Sequence, residues 1–339
     1  MAEMMTATMM TAIGYTHTGD LDQATFQTRE VPLPQPGARD LLVEVRAVSV
    51  NPIDTKQRRR VDPHGFRVLG FDAAGVVVAV GDAVEYFGVG DEVWYAGTLG
   101  RPGSNQQFQV VDERIAGRKP ATLGFAEAAA LPLTTITAWE CLFDRLRLTA
   151  DSRGTLLVVG GTGGVGSILL QLAKVRLPGV RVIATASAAK QEWASGLGAA
   201  VTIDPHGDLV AQTLELAPQG VDWIFSAFSD GRLPAYAEVL RPFGEVVAID
   251  EGQLDLMALK PKALTWHWES MFTRATFQTA DLSGQHDLLN AVAELVEAGS
   301  VRSTATAELG RVTAANLTEA HRIVEAGRSV GKVVLAGWE

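Results

Sequence analysis

Thr155-Leu-Leu-Val-Val-Gly-Gly-Thr-Gly-Gly-Val-Gly166, followed by Ser167-Ile-Leu-Leu-Gln-Leu-Ala-Lys174, decides how this chain is read. An apolar run leads into glycines at 161, 163 and 166 and then into a helix-like stretch. Glycines at this spacing between a strand and a helix make a dinucleotide-binding turn. Gly161 is expected to turn the chain off the strand. Gly163 is expected to let the backbone approach a pyrophosphate, and Gly166 to let the helix pack on the strand. Thr162, Gly164 and Val165 belong to the same turn. The helix N-terminus then offers unpaired N–H groups and a positive dipole end to the phosphates. A lone glycine pattern also arises in flexible loops, but here strand, turn and helix agree.

The next unit bears on which dinucleotide. Val180-Arg-Val-Ile-Ala-Thr185 reads as the second strand. An NAD site places Asp or Glu at its end, about 20 residues past the glycines, to bind the ribose 2′-hydroxyl. This chain has Thr185-Ala-Ser187-Ala-Ala-Lys190 instead. A carboxylate repels a 2′-phosphate, whereas a hydroxyl and an ammonium bind it. The segment therefore favours NADPH, with Ser187 and Lys190 on the phosphate. A plainer reading has Ser187 capping the following helix and Lys190 solvated. That reading leaves the missing acid unexplained.

The 339 residues suffice for two domains with large cores, and 47% hydrophobic with 20% charged residues is ordinary for a globular chain. A net charge of −10 argues against a nucleic-acid-binding surface. No apolar run reaches the roughly 18 residues of a membrane helix, so no membrane partner is expected. The methionine-rich opening, Met1 to Met10, lacks the basic-then-apolar pattern of a signal peptide. Cys141 is the single cysteine, which excludes an intramolecular disulfide and fits a cytoplasmic protein.

The first 130 or so residues read as mostly β, with strands at 41–50, 75–80 and 91–95 set among proline and glycine turns. Short strands with glycine turns suggest a small barrel. From about 132 to 264 strands at 155–160, 181–186, 200–203, 221–225 and 245–249 alternate with helices starting near 164, 188, 208 and 233. That grammar predicts an α/β doubly wound parallel sheet. Two amphipathic helices, near 285–298 and 313–326, and a strand at 332–336 complete the chain.

This layout and several motifs resemble the medium-chain dehydrogenase/reductase superfamily over nearly the whole length. The motifs are Val50-Asn-Pro-Ile-Asp54, Gly70-Phe-Asp-Ala-Ala-Gly-Val-Val77, Val89-Gly-Asp-Glu-Val93, Ala128-Ala-Ala-Leu-Pro132 with Thr137-Ala138, the glycine turn, and Gly331-Lys-Val-Val-Leu335. The likeness is strongest to the quinone-oxidoreductase branch. Within it, Gly103-Ser-Asn105, Trp266-His-Trp-Glu269 and Met271-Phe-Thr-Arg274 resemble zinc-type alcohol dehydrogenase-like proteins. The resemblance implies a Rossmann domain at 132–264, inserted in a GroES-like β-barrel catalytic domain made of 1–131 and 265–339. It also implies a homodimer paired through the edge of the Rossmann sheet.

The family name invites zinc, and the residues argue against it. Motif alignment puts the ligand positions at Asn51, at Phe71-Asp72 and near Leu133, where only Asp72 has a ligating side chain for zinc. The structural zinc loop needs four cysteines. The histidines at 17, 64, 206, 267, 286 and 321 are scattered. The branch implies hydride transfer from NADPH to a quinone or an α,β-unsaturated carbonyl, leaving an enolate that needs stabilisation and a proton. Many relatives carry a tyrosine in the segment that reads Asn51-Pro-Ile-Asp-Thr-Lys56 here. Lys56 is a candidate for holding the oxyanion, or a surface lysine in the basic run Lys56-Gln-Arg-Arg-Arg60. Tyr95 is a candidate proton donor, or a strand-end aromatic. Water is the third source of the proton.

By motif position, Asn51 falls near the nicotinamide ribose, Thr137 beside the cofactor, and Ser226 where the sheet's C-terminal edge meets the ribose. Phe272 and Trp268 lie in a segment expected to wall the substrate and cofactor pocket, or to pack in a core. Lys332 either approaches the cofactor or lies on the surface. A quinone or enone reductase leads these readings. A carbonyl or alcohol dehydrogenase, and a nucleotide-binding sensor without turnover, are the alternatives.

Overall fold

Continuous apolar runs and short alternating ones fold into different sheets here. The computed structural model describes residues 8–21 and 26–338, so the first seven residues of the methionine-rich opening lie outside the described residues. The chain divides into two compact units. One runs to Leu133 and resumes at Phe272; the other is Thr134–Met271.

The first unit begins with β1 (Met9–Tyr15) and β2 (Gln27–Pro32), followed by β3 (Asp40–Val50) and helix α1 (Pro52–Arg60). Then come β4 (Arg67–Val68), β5 (Ala73–Val80), β6 (Glu92–Tyr95), β7 (Phe108–Asp112), β8 (Ala116–Arg118) and α2 (Phe125–Ala129). The long β3 is buried at nine of its eleven positions. It holds this sheet together by pairing antiparallel with both β5 and β7. Helix α1 was not foreseen. Pro52 suits its first turn, and the Asp54 carboxylate accepts the Asn51 N–H at 2.9 Å. Its basic end is not wholly solvated, because Arg58 is fully buried, donating to Gly19 O at 2.7 Å and pairing with Glu325.

Helix α3 (Pro132–Trp139) carries the chain into the second unit. There β9 (Gly154–Val159), α4 (Gly164–Arg176), β10 (Val180–Thr185), α5 (Gln191–Leu197) and β11 (Val201–Ile203) follow in turn. After them come α6 (Leu209–Leu216), β12 (Val221–Ser226), α7 (Leu233–Val239), β13 (Leu240–Ala248) and β14 (Thr265–Trp268). The sheet order β11-β10-β9-β12-β13-β14 is all parallel. Numbered within the unit this is 3-2-1-4-5-6, the doubly wound arrangement that the strand–helix alternation predicted. Its apolar runs are buried on both faces: Leu156, Leu157, Val158, Ile224, Val246 and Val247 are all 0% exposed. The expected seam at 264 shifts to 271, because Thr265–Trp268 pairs along β13 as the sixth strand.

The first unit resumes with α8 (Thr273–Phe277), α9 (Gly284–Glu297), β15 (Ala305–Glu308), α10 (Ala314–Glu325) and β16 (Lys332–Ala336). Strand β16 pairs antiparallel with the end of β3, so the last strand joins the first unit's sheet. Helix α9 buries Leu288, Leu289, Val292, Ala293 and Val296, one stripe at helical period. Helix α10 packs on α1 and buries His321, whose ring nitrogens have no hydrogen-bond partner among the described residues.

Burial, aided by the nearby Arg58 charge, pushes the His321 imidazole down to about 3. The folded state therefore favours neutral His321, and its contribution to stability is lost as pH falls below the unfolded value of about 6.5. At pH 5 the loss is about 2 kcal/mol relative to pH 8. His321→Leu should remove this term. Denaturant titrations should show the parent losing about 2 kcal/mol against the variant between pH 8 and pH 5. Parallel pH dependences would refute it.

Candidate functional site

The glycine turn is built as a cradle. Strand β9 ends at Val159, and Gly160 takes the left-handed region at φ +96°. Gly160, rather than Gly161, therefore turns the chain off the strand. Gly161 is needed for a different reason: a Cβ there would lie 2.9 Å from Ala184 Cβ on the neighbouring strand. At Gly166 a Cβ would come within 2.2 Å of Gly160 O, so helix and turn touch as backbone. At Gly163 the nearest atom to a Cβ is Gly160 O at 3.6 Å. Among the described residues nothing comes closer to that position. Helix α4 starts at Gly164 with no side-chain cap and no acid in its first turn, so its N–H groups face outward uncontested. Thr162, Gly164 and Val165 are half-buried around it.

The end of β10 carries no carboxylate. Thr185 Oγ1 accepts the Gly160 N–H at 2.9 Å, pinning the turn to the second strand. Ser187 opens the short turn Ala188–Lys190 without a side-chain cap, so the capping reading of Ser187 fails. Ser187 and Lys190 are both half-buried there. Thr137 is buried in α3. Ser226 ends β12 beside Val159, where the ribose was expected, but its hydroxyl points inward. It lies 2.8 Å from the Tyr236 hydroxyl and accepts the Phe228 N–H at 3.2 Å, so Ser226 fastens its own loop.

In the first unit a buried polar cluster gathers residues from four places in the chain. Lys332 Nζ donates to Asp72 Oδ2 at 3.1 Å, to Val50 O at 3.0 Å and to Asn51 Oδ1. Asn51 Nδ2 donates to Asp72 Oδ2 at 2.8 Å. Asp72 Oδ1 accepts the Leu133 N–H at 2.7 Å. Asp54 accepts the N–H groups of Asn51 and Gly70 at 2.9 and 3.0 Å. Burial raises the Asp72 carboxyl, against the pull of Lys332, Asn51 and Leu133. Burial also raises Asp54, to about 7, opposed first by the Asn51 N–H and then by Lys332.

Asn51, expected near the nicotinamide ribose, and Lys332, read as approaching the cofactor or lying on the surface, are 1% and 4% exposed and bind each other and Asp72. Lys332 is no surface lysine either. Tyr95 is wholly buried, and its hydroxyl donates to Gln109 Oε1 at 2.9 Å while burial pushes its acidity down. It packs the barrel and presents no proton to a substrate. Lys56 is half-buried, and two residues along α1 place it about 200° round the helix from Asp54. Trp268 and Phe272, close in sequence, belong to different units. Trp268 ends β14 and is 52% exposed, whereas Phe272 is buried edge-on against Phe71 at 5.2 Å.

The chain matches the zinc-binding dehydrogenase family over residues 197–335 and the alcohol dehydrogenase GroES-like domain over residues 37–139. A zinc-type alcohol dehydrogenase-like protein from Staphylococcus epidermidis is 37% identical over 96% of this chain and 99% of its own length. The chain belongs to the medium-chain dehydrogenase/reductase superfamily. It is an oxidoreductase with a GroES-like domain and a Rossmann sheet, of a superfamily that binds a nicotinamide cofactor. A crystal structure from Rhizobium etli CFN 42, of zinc-dependent alcohol dehydrogenase description, superposes with a TM-score of 0.93. It is 46% identical, covering 98% of this chain and 99% of that one. A 2-methylene-furan-3-one reductase from Solanum lycopersicum is 30% identical over 96% of this chain and 79% of its own length.

The zinc in those names does not fit this superfamily member's residues. At the positions the motifs align with ligands, the Asn51 amide is held between Asp72 and Lys332, the Phe71 ring packs on Phe272, and Leu133 offers a backbone N–H. Asp72, the one ligating side chain, already faces the Lys332 ammonium, which repels a second cation. Among the described residues no group of three or more His, Cys, Asp and Glu is arranged to hold a metal.

Two glycines of the cradle, Gly163 and Gly166, should separate by experiment. Gly166→Ala forces a Cβ onto Gly160 O and should cost about 1–3 kcal/mol of stability. Gly163→Ala meets only an ordinary contact, so it should keep the parent's melting temperature while weakening dinucleotide binding at least about tenfold. Thermal denaturation and calorimetric titration of both variants check this. A Gly163 variant that binds like the parent would refute the cradle.

Proposed function

We propose that this chain is a zinc-independent, NADPH-dependent reductase that acts on a quinone or on the C=C bond of an α,β-unsaturated carbonyl. The observation that carries the reading is the open glycine cradle beside a second-strand end that has Thr185, Ser187 and Lys190 and no acid. The α4 N–H groups hold the pyrophosphate, and Ser187 with Lys190 holds the 2′-phosphate. When bound, the cofactor supplies the hydride.

The chemistry follows from how little else this chain offers. An isolated carbonyl reduced directly leaves an alkoxide, which usually needs a metal or a strong acid beside it. An enone spreads the charge into an enolate, and a quinone into a hydroquinone anion. With Tyr95 closed inside the barrel, the enolate takes its proton from water, and Lys56 steadies its oxygen. The Solanum lycopersicum relative is named for the reduction of 2-methylene-furan-3-one, an α,β-unsaturated carbonyl, which supports this substrate class. No nucleic-acid or membrane partner enters the proposal. No helix among the described residues is long and apolar enough to cross a membrane. We propose a cytoplasmic homodimer; for the pairing, support comes from β14, an edge strand with one sheet neighbour among the described residues.

Lys190→Ala should weaken NADPH binding tenfold to about a hundredfold and leave NADH nearly unchanged, since it removes one charge-assisted contact to phosphate. Calorimetry with both cofactors checks it, and tighter binding of NADH by the parent would overturn the preference. In a turnover panel, quinones and enones should outpace simple aldehydes. Activity should survive prolonged chelation, with well under one zinc per chain by elemental analysis. Faster aldehyde turnover, or stoichiometric zinc whose removal stops the reaction, would sink the assignment.

A further inference from the structure

A cavity of about 490 Å³ lies within the first unit, and none of the roles assigned above draws on it. That volume is in the range of a small-molecule site. The turn Thr98–Arg101, after β6, forms one wall, and Ala275, Thr276, Gln278 and Leu282, in and after α8, form another. Leu99, Ile115 and Leu282 give the cavity its apolar faces. Both walls start from one aromatic contact. Gly97, next to Thr98, donates its N–H to Phe71 O at 3.2 Å. Thr276 donates its N–H to Phe272 O at 2.8 Å, and the Phe71 and Phe272 rings meet edge-on. Phe71 lies near the end of β3, since Asp72 O accepts the Ser49 N–H at 3.4 Å. Asp112, also in the lining, pairs with Asp40 at the start of β3. The cavity therefore leads away from the aromatic contact along the length of the barrel.

The charges in the lining are already matched. Arg101 donates both terminal nitrogens to the Asp40 carboxylate, at 2.8 and 3.1 Å. The Asp112 carboxylate accepts the Arg114 guanidinium at 2.9 and 2.7 Å. Gln278 Oε1 accepts from Arg114 at 3.2 Å, and its Nε2 donates to Ala275 O at 2.9 Å. A charged ligand would have to displace one of these pairs, whereas a neutral apolar one displaces none. Leu99, Gly100 and Arg101 also wall a second cavity, of about 560 Å³, whose other faces include Met10, Val31 and Phe66. Arg67 borders that cavity and donates to Gln57 Oε1 at 2.9 Å. Apolar space thus lies on both sides of one turn.

We propose that the cavity walled by Leu99, Ile115, Ala275 and Leu282 receives an uncharged apolar tail of the substrate, so that the chain selects quinones or enones carrying an alkyl or prenyl substituent over bare ones. The inference rests on the reductase reading. The tail lies along the lining and takes apolar faces out of water. It adds contact area and no chemical group, so the cavity sets which substrate is held and leaves the hydride step alone. Each CH₂ that enters the lining is favourable, and affinity rises with tail length until the space is full. The matched pairs Arg101–Asp40 and Arg114–Asp112 keep the lining neutral and turn away a tail that ends in a carboxylate.

The test is a tail-length series, methyl-, butyl- and decylhydroquinone, titrated by calorimetry, with the matching quinones in turnover assays. In the parent, butyl over methyl should gain at least about tenfold in affinity, and decyl more. Ala275→Phe fills the cavity and should abolish most of the gain. Leu99→Asp puts a charge in the lining at a half-buried position and should do the same, so the test stands if the first variant melts early. Decanoate should bind more weakly than decylhydroquinone. A parent without a gain from tail length would overturn the proposal. So would a gain that both variants keep, which would put the tail elsewhere, or tighter binding of decanoate, which would make the site a charged one. A parent that reduces quinones at rates independent of tail length would overturn the cavity's role and leave the reductase reading standing. A parent that binds the longer tails as expected but reduces no quinone or enone would overturn the reductase reading instead.

Discussion

The contact between Lys332 and Asp72 ties the first unit together. Asp72 stands just before β5, Lys332 opens β16, and the two are 260 positions apart in sequence. Through Asn51 the pair reaches the start of α1, and through the Leu133 N–H it reaches α3, where the chain leaves for the other unit. A buried ion pair gives little net stability over an apolar replacement, but losing one partner strands a charge away from water at a cost of about 3–5 kcal/mol. The pair therefore acts less as glue than as a condition. The last strand must come home to β3, or Asp72 and Asp54 are left as unneutralised neighbours.

The same cluster explains why a chain with zinc in its relatives' names has other chemistry open to it. A zinc site needs neutral or anionic ligands converging on an empty centre. Here the polar atoms converge on one another: amide on carboxylate, ammonium on amide, carboxylate on ammonium. The site's positive charge is covalently attached as Lys332. A fixed ammonium that is hydrogen-bonded on three sides keeps the fold in order but offers no Lewis acid to a carbonyl oxygen. We therefore propose a substrate that carries its own electron sink.

In the second unit the governing constraint is a close approach of backbones. Gly160 O, the Gly161 Cα and the Gly166 Cα crowd one another so that no side chain fits at the third glycine. At Gly163 a Cβ would meet only an ordinary contact. Around it the polar side chains turn inward, Thr185 to Gly160 and Ser226 to Tyr236. Steric need and hydrogen-bond satisfaction agree at one strand end.

The sequence by itself determined the parallel sheet, its order of strands and helices, the glycine turn and the missing acid after β10, because these are local patterns of period and spacing. It placed α9 and α10 within a residue of their observed bounds, since each carries a clear apolar stripe. It missed β1, β2, β14 and α1, which are short, lie at an edge or start at a cap without an apolar period. It assigned the first turn to Gly161, because adjacent glycines look alike until a dihedral angle separates them. Only tertiary structure decided which way the polar side chains face. Asn51, Lys332, Tyr95 and Ser226 are residue types that serve a ligand or a core equally well. Partners as distant as Asp72 for Lys332 and Gln109 for Tyr95 turned all four inward, for a buried polar group must find its hydrogen bond wherever the fold brings one.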